Sequence, residues 1–356
     1  MFAYVLVCYT IVSMNILAIE SSCDETAAAV IKDGKEVLSN IIASQIEIHA
    51  RYGGVVPEVA ARSHIEVIIP VIEQALEEAK VSWENIDAIA VTKGPGLIGS
   101  LLIGVMTARE LAIAKNKPLI GINHIWAHAF ASFLTDNKPE FPFLALTVSG
   151  GHTTLSLYKD DLTREVIGET LDDAAGEAFD KVAKLIGLPY PGGPAISNAA
   201  EAGDENAYKF PIANLGKDSF DFSFSGLKTA VLRQVQDITG VNPGSIDNKK
   251  SYELDEKIVA DISASFQKAA VDALLKQTQK AYLRYNPKAL VVGGGVACNS
   301  YLREKMHEII PSAIFVPPVL CTDNAAMIGA LAFKMYDHKN FIDPYELKAD
   351  SSLEEI

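Results

Sequence analysis

Apolar residues are spread unevenly along the 356-residue chain. They fall into short runs closed by small polar turns, and the most informative run occurs twice. Leu17-Ala18-Ile19 leads into Glu20-Ser21-Ser22-Cys23-Asp24-Glu25-Thr26 and on through Lys32-Asp33-Gly34. Leu144-Ala145-Leu146 leads into Thr147-Val148-Ser149-Gly150-Gly151-His152-Thr153 and on through Lys159-Asp160-Asp161. The two align without a gap, Leu17 on Leu144, Thr26 on Thr153 and Lys32 on Lys159. Each reads as a strand, a tight turn, a second strand, a charged turn and a third strand. A turn of Ser and Gly exposes backbone N–H groups and hydroxyls with no bulky Cβ in the way. Two such turns facing each other can hold a phosphate chain.

The repetition continues downstream. Residues 86–91 read as a buried strand running into Gly94-Pro95-Gly96 and a helix over 97–114. Residues 289–292 do the same into Gly293-Gly294-Gly295 and a helix over 299–309. A strand over 118–122 reaches Asn123-His124, and one over 313–316 leads through Pro317-Pro318 to Thr322-Asp323-Asn324. The pattern predicts a duplicated α/β unit with its cleft at a pseudo-twofold axis. Further helices are expected over 57–80, 172–186 (stopped by Gly187 and Pro189) and 258–285. The expected organisation is an apolar extension over 1–13, an N-terminal lobe over 14–138 and a C-terminal lobe over 139–324. That second lobe carries a polar helical insertion near 196–256. Residues 325–356 form a C-terminal helix and tail packing back on the N-terminal lobe.

Composition narrows the class. With 49% hydrophobic and 21% charged residues the chain is globular. A net charge of −14 argues against broad nonspecific nucleic-acid binding, which needs a basic field. Cys8, Cys23, Cys298 and Cys321 form no CxxC pair, so they read as free thiols in a reducing, cytoplasmic compartment. The leader over 1–13 has no Lys or Arg, unlike a signal peptide. It reaches membrane-spanning length only by consuming the strand that starts at Asn15, so a start-site extension is expected rather than a stable membrane anchor.

Candidate chemistry gathers at the turns. His124 and His128 stand four apart on one helix face, a spacing that lets both bind one metal. Asn123 is placed to cap that helix. The duplication brings Asp323 toward the histidines across the cleft. Two His and one Asp with open positions suit iron(II) or zinc in a catalytic role. A metalloprotease would need a Glu after the first His, where this chain has Ile125. Ser149-Gly150-Gly151-His152 is either a phosphate cradle or a plain hairpin turn. The Gly293–Gly295 run would pass a backbone close to an adenine or ribose. Asp180 either accepts from a ribose or pairs with Lys184 one helical turn on. The segment 221–229 is either a substrate-facing loop or a strand end. There is no P-loop.

Together the motifs IESSCDET, GPGLIGSLLIG, NHIWAHA, VSGGHT, GEAFDKVAKLIGLPYPGGP, FSFSGLKTAV, GGGVACN and CTDNAAMIG, spanning 19–329, closely resemble the TsaD (Gcp) family of tRNA adenosine threonylcarbamoyltransferases, in its bacterial form. The resemblance implies two RNase-H-like lobes of the actin, sugar-kinase and Hsp70 type. It implies one divalent metal per chain, iron(II) or zinc, on His124, His128 and Asp323. It implies substrate contacts by Thr147, Val148, Ser149, Gly150, Gly151, Asp180, Gly193 and Asn299. His152 is a catalytic candidate by position. The implied reaction moves the threonylcarbamoyl group of threonylcarbamoyl-AMP to the amine of the adenosine 3′ of certain tRNA anticodons. The implied partners are a TsaB-like paralogue, as a heterodimer, and a TsaE-like ATPase. The competing readings are an ATP-dependent kinase or hydrolase of the same superfamily and a noncatalytic scaffold.

Overall fold

The computed structural model describes residues 13–240, 252 and 254–353. Residues 1–12 of the expected extension, with Cys8, lie outside the described residues, as do 241–251 and 253 of the expected insertion.

The first half contains β1 (Asn15–Glu20), β2 (Glu25–Lys32), β3 (Glu36–Ser44), α1 (Ile46–Ala50), α2 (Pro57–Ala79), β4 (Ala88–Gly94), α3 (Ile98–Lys115), β5 (Leu119–Asn123) and α4 (His124–Phe130). The second contains β6 (Phe143–Val148), β7 (Thr153–Tyr158), β8 (Arg164–Glu169), α5 (Ala175–Leu185), α6 (Gly192–Ala200), α7 (Ser225–Thr239), α8 (Glu256–Tyr285), β9 (Ala289–Gly293), α9 (Ser300–Ile309), β10 (Ile314–Phe315), α10 (Pro318–Cys321) and α11 (Ala325–Asp337).

The two sheets have one topology. Strand order is β3-β2-β1-β4-β5 in the first and β8-β7-β6-β9-β10 in the second. In each, the first three strands are antiparallel and the last two join in parallel. The register repeats as well. Leu17 pairs with Val30, and their counterparts Leu144 and Leu157 pair in the second sheet. The duplicated two-lobe α/β architecture is therefore as the sequence implied.

The strands read as continuous apolar runs because both faces of each sheet are covered. In β1, Leu17 and Ile19 face a cluster with Ile68, Ile72 and Leu76 of α2 and Val105 and Ala108 of α3. Ile16 and Ala18 face the other side, with α4 and α11. Helix α11 follows the second sheet in sequence yet packs on β1, β2 and α4. Gly329 lets it lie close, since a Cβ there would collide with Ile31 of β2. This return brings the start of α11 to the start of α4. Where the lobes join, Phe130, Phe133, Phe141, Phe143 and Tyr158 form an aromatic stack, with Phe143 and Tyr158 at 4.7 Å and 6°. Such pairs add about 0.5–1.5 kcal/mol each beyond their burial.

Three local expectations are corrected. Helix α5 begins at Ala175, not at 172, because the Asp172 carboxylate accepts from the Phe224 and Ser225 N–H groups and Asp173 binds Lys181 and Lys228. The segment 221–229 divides in two: 221–224 lies outside any helix, with Phe222 bridged in parallel to Thr170 just past β8. From Ser225 onward it is the first turn of α7, with Asp172 satisfying its leading N–H groups. The described chain over 201–224 contains no helix.

Candidate metal centre

Two asparagine caps set the geometry. Asn123 closes β5, and its Oδ1 accepts from Ile125 N at 2.9 Å and Trp126 N at 3.2 Å. The helix it starts carries His124 and His128 one turn apart, their rings 4.8 Å apart and nearly perpendicular. Asn324 starts α11, accepting from Met327 N at 3.1 Å. Its Nδ2 donates to Thr322 O at 2.7 Å and Leu320 O at 3.1 Å. Asp323 is thus held by a loop bonded on both sides.

Asp323 Oδ1 lies 3.5 Å from His124 Nε2 and 3.4 Å from His128 Nε2. A direct charge-assisted hydrogen bond would be about 2.7–2.9 Å. Ligands on one ion with bonds near 2.1 Å in tetrahedral array sit about 3.4 Å apart. His128 is 1% exposed, and neither of its ring nitrogens has a hydrogen-bond partner. A buried, unsatisfied imidazole is costly, and a cation shared with Asp323 would satisfy its Nε2. These three residues are the group of metal-ligating type found among the described residues, and they fit a divalent ion.

A further carboxylate orients the first ligand. Glu20 is fully buried at the end of β1. It accepts from Ser22 N and Thr92 Oγ1 and meets His124 Nδ1 at 3.0 Å. Ser22 Oγ reaches the same nitrogen at 3.1 Å. His124 therefore turns Nε2 toward Asp323, the carboxylate–histidine arrangement common behind metal ligands. Burial opposes charge on all three groups. On His124, Glu20 and Asp323 outweigh it and hold the imidazole well above its usual pKa. On Glu20 and Asp323 the His124 charge outweighs it, holding Asp323 well below the carboxylate range. Burial pushes His128 down. The sequence reading missed Glu20. The signal was the repeat itself, which puts Thr147 where the first half has Glu20.

The second turn comes from the other lobe. Ser149 N donates to His152 O at 2.8 Å, and Ser149 Oγ accepts from His152 N at 3.1 Å. Gly150 and Gly151 form the exposed tip, with nothing within 4 Å of a Cβ at either. Thr147 and Val148 are buried strand residues leading into it. The His152 ring lies 6.4 Å from that of His124. Burial pushes His152 down to about 4, and His124 and His128 add to this. It is neutral at pH 7 and a weak base.

The remaining candidates make local contacts. Asp180 does not pair with Lys184; its Oδ1 accepts from Gly192 N at 2.7 Å. Burial lifts its carboxyl to about 6 against that bond, with Asp24 adding to the rise. Gly193 beside it opens on free space. Asn299 caps α9, accepting from Leu302 N at 2.9 Å and donating to Gln267 Oε1 at 2.7 Å. In the glycine run, Gly293 and Gly294 make room for protein backbone, at His128 O and Val148 O, and only Gly295 is open.

A protein of Clostridium botulinum called tRNA N6-adenosine threonylcarbamoyltransferase is 53% identical over 328 residues, covering 91% of this chain and 93% of the relative. One of Clostridium novyi with the same name is 51% identical over 345 residues, covering 96% and 97%. Among solved structures, full-length HypF in a phosphate- and nucleotide-bound form aligns with 91% of this chain and 56% of its own, at TM-score 0.58 and 16% identity. Component A of the Acidaminococcus fermentans (R)-2-hydroxyglutaryl-CoA dehydratase aligns with 92% of this chain and 98% of its own, at TM-score 0.52 and 18% identity. These two likenesses speak to fold alone. The family described as TsaD, tRNA N6-adenosine threonylcarbamoyltransferase, matches residues 36–330, and the chain belongs to that family.

Proposed function

We propose that this chain transfers the threonylcarbamoyl group of threonylcarbamoyl-AMP to the exocyclic amine of the adenosine 3′ of the anticodon, in tRNAs reading codons that begin with adenine. The observation that carries the reading is a metal-ready His124–His128–Asp323 cluster in a chain of this family. A scaffold would gain nothing from keeping a buried, unsatisfied His128.

In the reaction the adenine amine attacks the carbamoyl carbon. The carbon–oxygen bond to phosphate breaks, AMP leaves with the electron pair, and the proton lost by the amine passes to water. In the Ser149–Gly151 tip the N–H groups of Gly150 and Gly151 bind the phosphate, the Ser149 N–H being held by His152 O, and Thr147 and Val148 hold the turn rigid beneath it. Asp180, Gly193 and Asn299 line the nucleoside side. His124, His128 and Asp323 would hold a divalent ion, iron(II) or zinc, which would supply Lewis acidity toward phosphate or carbonyl oxygen. Glu20 fixes the ring that faces it. His152, neutral and a weak base, accepts a hydrogen bond better than it stores a proton. The anticodon loop is single-stranded, so its base is presented without opening a duplex.

A TsaB-like paralogue is the proposed partner in a heterodimer, with a TsaE-like ATPase acting on the pair. Support comes from neighbouring helices α2 and α3, packed where Gly99 meets Ala61. Ile65 and Ile69 on α2 and Ile98, Leu102 and Met106 on α3 are 44–61% exposed at four-residue spacing. Such an apolar stripe on two helices suits helix-on-helix docking. An acidic chain offers tRNA little by itself, so the partner shares its binding. No helix of the described residues is long and apolar enough to cross a membrane, and the proposed location is the cytoplasm, where tRNA is. The test is reconstitution with partners, threonine, bicarbonate, ATP and tRNA, followed by mass spectrometry of tRNA nucleosides. Threonylcarbamoyladenosine is the expected product. Steady phosphate release that ignores tRNA would favour a kinase or hydrolase instead.

A further inference from the structure

His64 of α2 is fully buried, yet it is no part of the metal cluster. Its Nε2 lies 2.9 Å from Cys23 O, and its Nδ1 lies 2.6 Å from Thr26 Oγ1. A carbonyl only accepts, so Nε2 carries the proton and Nδ1 accepts from the Thr26 hydroxyl. That fixes one neutral tautomer, and burial pushes the ring's pKa down in the same sense. An apolar side chain at 64 would join the α2 layer without burying a polar ring. What the imidazole adds is its grip on the Ser21–Asp24 turn.

That turn is tied on three sides. Leu97 N at the start of α3 donates to Ser22 O at 2.8 Å, and Ser21 Oγ donates to Ser100 O at 3.0 Å. On the inside, Ser22 Oγ stands 3.1 Å from His124 Nδ1. On the α2 side His64 holds Cys23 O. The residue after His64, Ile65, is 61% exposed and belongs to the apolar stripe.

We infer that His64 is a positioning residue: it sets the Cys23 carbonyl, and with it the Ser22 hydroxyl against His124, and couples that setting to the outer face of α2. The coupling rests on the reading of the α2–α3 face as the partner surface. A partner that shifts α2 by a fraction of an ångström moves the turn through this bond, and catalytic geometry tolerates little displacement.

The test compares wild type, His64→Leu, His64→Gln and Thr26→Val, each as the full chain, by amide hydrogen exchange at Ser22–Asp24 with and without the TsaB-like partner, and by kcat and KM for tRNA. The Leu variant is expected to bind the partner as wild type does, while its turn amides exchange faster and no longer respond to the partner. Its kcat should fall about tenfold, as for loss of a residue that orients a ligand, with KM for tRNA unchanged. Gln, which carries both a donor and an acceptor, should recover most of kcat. Thr26→Val, which leaves the Cys23 bond in place, should lie between and serves if the Leu variant misfolds. Unchanged exchange and kcat in folded His64→Leu would overturn the inference, as would Gln being as impaired as Leu. A wild-type turn that ignores the partner would overturn the coupling. If wild type transfers nothing to tRNA, the functional reading fails, and the exchange data still decide the role of His64.

Discussion

Glu20 and His124 meet at 3.0 Å with Glu20 wholly out of solvent, and this contact decides which nitrogen of His124 faces Asp323. Glu20→Gln removes the charge and leaves one acceptor oxygen where the carboxylate has two, one taken by Ser22 N and the other shared by Thr92 Oγ1 and His124 Nδ1. Its expected consequence is a fall in metal affinity of about 10–100-fold, the usual effect of losing a group that orients a ligand. Titration with zinc against a chromophoric chelator measures it. Equal affinity in both proteins would remove Glu20 from the centre.

The ligands themselves are tested by content and by turnover. One divalent ion per chain is expected in wild type and none in His124→Ala, read by elemental analysis. Asp323→Ala opens one coordination position at a helix start without touching the core. Its thermal transition should stay within about a few degrees of wild type, as for a change outside the packed interior. Transfer to tRNA should fall roughly a hundredfold or more, as when a main electrostatic element is lost. Near-normal turnover by this variant would refute the metal's part in the reaction.

Much of this centre was legible in the sequence because it is built from local devices. The His124–His128 spacing, the Asn123 cap and the repeat are all short-range patterns. The strands were legible because residues such as Leu17 and Ile16 are buried on opposite faces, giving unbroken apolar runs. What was hidden depends on contacts between distant segments. Glu20 stands as one polar residue of the first turn until Thr92 of β4 is placed against it. Asp180 has Lys184 at helical spacing, yet the backbone N–H of Gly192, delivered by the turn after α5, wins its carboxylate. Asp172 looked like helix and instead serves the start of α7.

Asp180 also gives a pH signature. Its folded pKa is raised to about 6 by burial, above the usual unfolded value near ~3.9. The folded state therefore holds the proton more tightly, and stability falls as pH rises from about 4 to about 6, with the full cost present above about 6. Asp180→Asn removes this cost. Discounted for its partial exposure, the gap in unfolding free energy between pH 4 and pH 7 should change by about 1–2 kcal/mol relative to wild type. Urea unfolding at the two pH values reads it, and identical pH profiles for both proteins would contradict the buried carboxylate.

The last expectation concerns partnership. Leu102 and Met106 are 44% and 45% exposed on α3, so charge at either disturbs no core packing in the chain alone. Surface changes of that kind usually alter stability by less than about 0.5 kcal/mol. At the centre of a helix–helix interface, the same charge is buried without a counterion, which costs several kcal/mol. Leu102→Glu with Met106→Glu should therefore fold, hold metal like wild type and lose the heterodimer. Transfer should drop to the level of the wild-type chain without partner, which is itself expected to be nearly inactive. Sedimentation or calorimetry with the TsaB-like paralogue follows binding, and the nucleoside assay follows activity. A double variant that still binds would move the interface elsewhere, and full activity of the lone wild-type chain would end the partner requirement.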